Sequence, residues 1–144
     1  MLRYIPLPGR ILIGAGLVLV VVLLFIGFTI GGSSTPNPCQ IPAAVDGTTP
    51  TCNAPNVAQQ QPMTVDLATG YDAVLRADLS TLGGSVALPR DEMTIQNGTG
   101  QMTFQPGSGK AISAWAPTTC ITVDYFKILD PQVKGSYRFC FGAT

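Results

Sequence analysis

Ile11 to Ile30 reads ILIGAGLVLVVVLLFIGFTI, twenty residues without a charge. At 1.5 Å rise per residue such a helix is about 30 Å long, the thickness of a bilayer's hydrocarbon core. Fifteen of the twenty are Ile, Leu, Val or Phe, and each favours insertion near the bilayer centre by roughly 0.3–0.6 kcal/mol. The sequence therefore predicts a transmembrane helix over residues 11–30, and no other stretch of the chain approaches it. Arg3 and Arg10 flank its N-terminal end, whereas the next basic residue beyond it is Arg76. By the positive-inside rule, residues 1–10 form a short cytoplasmic lead and everything after residue 30 is extracytoplasmic.

A cleaved signal peptide is the competing reading, because Gly31, Gly32, Ser33 and Ser34 would suit a peptidase. Its apolar region is normally about 7–15 residues, shorter than the run found here, which favours a retained signal-anchor. The segment holds no ionisable or amide side chain, so it offers no path for protons or ions. Gly27 and Gly31 form one G-x-x-x-G pair, a candidate for close packing against another helix in the membrane. The same Gly31-Gly32 pair also serves as a helix stop.

All four cysteines, Cys39, Cys52, Cys120 and Cys140, lie beyond this segment, in a space where thiols oxidise. Two disulfides follow, and of three connectivities the favoured one closes two short loops, Cys39 with Cys52 and Cys120 with Cys140. Zinc ligation is disfavoured, since no two cysteines have the close spacing of a zinc knuckle and the chain contains no histidine.

Residues 31–62 are rich in Pro, Ser, Thr, Gln and Asn with almost no charge, and read as an extended stalk. A disulfide loop inside a purely flexible tether would have no use, so the stalk is expected to pack on the domain behind it or on a neighbour. Residues 63–144 show short β-favouring runs punctuated by Gly, Pro and Asn. Met63 to Leu67 is the first strand. Glu92 to Gln96 and Gln101 to Gln105 form a hairpin around Asn97-Gly98-Thr99-Gly100, whose Asn and Gly tolerate the backbone of a tight turn. Further runs follow at Lys110 to Ala116, Cys120 to Phe126 and Ser136 to Phe141, the last with Tyr137, Phe139 and Phe141 on its core face.

Tyr71 to Leu82 fits both periodicities. Thr69 with Asp72 resembles a capping box and Gly83-Gly84 a helix stop, which tips the reading to a short helix at about 70–82. The expected fold class is thus a single transmembrane helix followed by a small, mainly antiparallel, sandwich-like β domain with one short helix.

The chemistry is marked by what is missing. Without histidine the commonest general base is lost. One glutamate, Glu92, and seven scattered aspartates form no motif for paired-carboxylate catalysis, and Asp66, Asp72 and Asp78 read as solvated or capping. No calcium loop, phosphate loop, heme-attachment or dinucleotide fingerprint occurs, so no catalytic residue, metal or cofactor is assigned. The Asn97-Gly98-Thr99 acceptor triplet reads as a turn. From Ser33 onward six basic residues face eight acidic ones over 112 residues, which gives no footprint for nucleic acid. That charge density is below the roughly 25–35% typical of free soluble surfaces, which suggests a surface covered by a partner.

The expectation is a non-enzymatic, single-pass, membrane-anchored accessory subunit, held in membrane lipid by residues 11–30, that docks on other membrane or envelope proteins. The alternatives are a self-assembling filament or virion component and a small-ligand or glycan-binding module.

Overall fold

A computed structural model describes residues 37–144. The expected transmembrane helix, the lead before it, Gly27 and Gly31, and the first residues of the stalk lie outside the described residues. Among the described residues no helix is long and apolar enough to cross a membrane.

Eight strands form two four-stranded antiparallel sheets: β1 (Val45–Thr49), β2 (Met63–Leu67), β3 (Tyr71–Leu79), β4 (Ser85–Leu88), β5 (Met93–Gln96), β6 (Gln101–Phe104), β7 (Thr119–Lys127) and β8 (Asp130–Phe141). The first sheet runs β1-β2-β6-β5 and the second β4-β3-β7-β8. β2, β3, β6, β7 and the end of β8 alternate, so one face of each sheet is apolar and the two faces share one core. Met63, Val65, Leu67, Met102 and Phe104 come from the first sheet; Ala73, Leu75, Ala77, Ile121, Val123, Tyr137, Phe139 and Phe141 come from the second.

The short helix expected at about 70–82 is instead β3, which pairs with β7 from Tyr71↔Lys127 to Leu79↔Thr119 and with β4 from Leu75↔Leu88 to Asp78↔Ser85. A helix would have buried Val74 and Leu82, but both are about half exposed, at 51% and 52%, while Ala73 and Ala77 are fully buried. Thr69 and Gly70 belong to the β2–β3 turn, with Gly70 at φ +87°, and Asp72 accepts the N–H of Ala73 rather than capping a helix. Flanking strands that each supply a hydrogen-bonding ladder outweigh the local helix signals.

The latter part of the stalk packs on the domain. Val45–Thr49 completes the first sheet beside β2, with a bulge between Val45 and Gly47, and Val45 and Val57 are core residues. Lys110 to Ala116 forms no ladder but crosses between the sheets. It lays Ile112, Trp115 and Ala116 into the core, where the indole N–H of Trp115 donates to the carbonyl of Gln61 at 2.8 Å and its ring meets Phe104 and Phe141.

Candidate functional site

The two expected disulfides are present, with Cα–Cα separations of 5.5 Å for Cys39–Cys52 and 4.0 Å for Cys120–Cys140. Cys120 and Cys140 are direct cross-strand partners on β7 and β8. The Cys39–Cys52 loop sits beside them, because the N–H of Asn53 donates to the carbonyl of Cys140 at 2.7 Å and the Asn53 amide reaches Cys39 Sγ at 3.1 Å. Residues 53–57 then follow the last residues of the chain: Gly142 N–H donates to Ala54 O, Val57 N–H to Gly142 O and Thr144 N–H to Val57 O, each at 2.9 Å. The β8 edge is thereby covered from Cys140 onward, at the end of the sandwich where the chain enters it.

The opposite end is built differently. β7 and β8 are joined through Ile128 and Leu129 at the turn, and these side chains are 56% and 92% exposed, with Val133 nearby in sequence at 44%. The N–H of Ile128 donates to Gly70 O at 2.9 Å, which ties the turn to the β2–β3 connection. Beside it, between the ends of the two sheets, lies a cleft of about 330 Å³. Leu67, Ile95 and Met102 supply its apolar lining, and the Gln96 and Asn97 amides and the Asp72–Arg90 pair supply its polar one.

Each of the three arginines in the described residues is in an ion pair: Arg76 with Asp124 at 2.6 Å, Arg90 with Asp72 at 2.8 Å and Arg138 with Asp78 at 3.0 Å. These pairs are partly exposed, and such pairs contribute little stability, about 0–1 kcal/mol each. Asp66 accepts the Gln101 amide at 2.7 Å. Asp66, Asp72, Asp78 and Asp124 are thus each engaged with a cation or an amide. Among the described residues no group of three or more Cys, Asp or Glu converges as a metal site would require. Met63, Met93 and Met102 all lie in the core, so no thioether of these three faces solvent.

The outer face of the first sheet carries a feature that the sequence analysis missed. Thr49 lies opposite Thr64, Thr64 opposite Thr103, and Thr103 opposite Thr94, so one threonine from each strand forms a row across the whole sheet. The Thr64 and Thr103 hydroxyls are 3.0 Å apart. The next row holds Asp66, Gln101 and Gln96. The matching EMTIQ and QMTFQ strands carried this signal, but only pairing shows that their threonines align.

The architecture is that of a small, all-antiparallel, two-sheet β sandwich stapled by two disulfides. No family model matches the sequence, and no curated protein does. Among solved structures the chain is similar to PcoC, a methionine-rich copper resistance protein from Escherichia coli, with 8% identity and a TM-score of 0.47 over 69% of this chain and 96% of that one. At that identity the likeness concerns the arrangement of strands alone.

Proposed function

We propose that this chain is a non-enzymatic, single-pass, membrane-anchored accessory subunit whose extracytoplasmic sandwich docks on other proteins of a membrane or envelope complex. The observation that carries the reading is the Ile128–Leu129 turn. Turn positions favour Gly, Asn, Asp and Pro for backbone reasons, and two large aliphatic residues there oppose that preference, Ile128 half-exposed and Leu129 almost wholly in solvent. Such a knob gains about 1.5–3 kcal/mol per side chain when a partner covers it. The uncharged run 11–30 supports anchoring, and the two disulfides suit an oxidising compartment.

Extraction in gentle detergent followed by native electrophoresis tests this. The expected result is migration with different polypeptides, and Leu129→Asp releases the chain from them without lowering its melting temperature. Migration as a lone monomer overturns the proposal, and migration only with copies of itself replaces it with self-assembly. The end cleft favours one further reading, a small-ligand or glycan-binding module, because planar amides and an ion pair border an apolar floor there. Shifts of the Gln96 and Asn97 side-chain resonances on adding simple saccharides would support it.

A further inference from the structure

We infer that the open stretch of the β8 edge before Cys140, around Lys134, Ser136 and Arg138, receives an extended, acidic segment of the docked partner as an added β-strand; this rests on the docking reading above. Cys120 and Cys140 are only 4.0 Å apart at Cα, the close spacing of a cross-strand pair that does not bond to itself. The Cys140 carbonyl accordingly points away from β7, to Asn53. Hydrogen-bonding direction alternates along a strand, so Arg138, Ser136 and Lys134 also turn their N–H and C=O groups outward. Residues 53–57 use this edge from Cys140 onward, and among the described residues no segment pairs with it before that point.

The side chains select the occupant. Lys134, Ser136 and Arg138 are all exposed. Arg138 is neutralised by Asp78, whereas Lys134 has no carboxylate partner among the described residues. Antiparallel self-pairing of two copies centred on Lys134 sets that cation against itself, a destabilising arrangement. A carboxylate opposite Lys134 removes that conflict. Val74, Phe126 and Lys134 border an open groove on the outer face next to this edge, together with Asp124, whose carboxylate is taken by Arg76, so the added strand has apolar surface beside it as well as a ladder.

Site-resolved amide exchange on the full chain, in its native membranes and after detergent extraction to the lone chain, tests the inference. The amides of Lys134, Ser136 and Arg138 are expected to exchange about tenfold or more slowly in the membranes, while those of Gly135, Tyr137 and Phe139 stay protected in both states. Ser136→Pro removes an outward N–H only, and is expected to keep both disulfides while losing co-migration. Lys134→Glu, a change at an exposed side chain, is expected to weaken co-migration at low salt. Co-migration with those three amides still fast overturns the inference and leaves the docking reading standing; a lone monomer overturns both, and protection that accompanies a homodimer overturns the choice of occupant.

Discussion

The N–H of Asn53 donates to the carbonyl of Cys140 at 2.7 Å, and through that bond a loop closed by one disulfide is fastened to a strand held by the other. Replacing both Cys39 and Cys52 by serine should lower unfolding free energy by about 3 kcal/mol, the loss expected for a loop of this length. Denaturant titration measures it. The same variant should speed exchange at Gly142 and Thr144, whose N–H groups donate to residues 54–57, and should leave the β3–β7 amides unchanged.

Tyr137 tests the core directly. Its hydroxyl is buried without a hydrogen-bond partner, and an unpaired buried polar group costs about 1–3 kcal/mol. Tyr137→Phe should therefore be neutral or stabilising by about 1 kcal/mol, read as a higher melting temperature. Marked destabilisation would show that the hydroxyl is satisfied in solution.

The same phenol sets a pH dependence. Burial holds its pKa above the usual tyrosine value, so the unfolded chain releases the proton first as pH rises. Its effect is absent below about pH 9, and stability is lost as pH rises past about 10 through the folded-state pKa. The stability difference between Tyr137→Phe and wild type should widen in favour of phenylalanine in that window, and a parallel offset at every pH would refute this.

Gly100 closes the β5–β6 turn at φ +69°, and a β-carbon there would lie 2.6 Å from the carbonyl oxygen of Leu67. Gly100→Ala combines left-handed strain with a backbone clash and should cost about 2–4 kcal/mol. Gly98 has φ +99° with open space around it, so Gly98→Ala should cost less. Equal losses at the two positions would remove the clash from the explanation.

On β3 the two faces separate strand from helix by mutation. Ala73→Leu overpacks the interior and should destabilise by about 1–3 kcal/mol, whereas Val74→Thr, on the solvent face, should change stability by less than about 0.5 kcal/mol.

β3 also shows why part of the fold was illegible beforehand. Tyr71, Leu75 and Leu79 are spaced by four, which is both a helical repeat and an even number, so these residues satisfy either periodicity and leave the choice to weaker cap signals. Val45–Thr49 was hidden for another reason. It is a bulged edge strand in a Pro- and Thr-rich segment, and its ladder comes from β2, 22 residues on at the Val45–Leu67 end and nearer thereafter. The β5–β6 hairpin was legible because a turn and the strands it joins are neighbours in sequence.

By itself the sequence determined what depends on near neighbours and on residue inventory: the uncharged run 11–30, the Asn97–Gly100 turn, the core face of Tyr137, Phe139 and Phe141, and the lack of histidine. Only the tertiary structure decided that residues 53–57 cover the β8 edge from Cys140 onward and leave it open before that point, that the threonines of four strands align, and that Leu129 stands in solvent. Those outcomes depend on hydrogen bonds and burial between segments far apart in the chain, which no local pattern encodes.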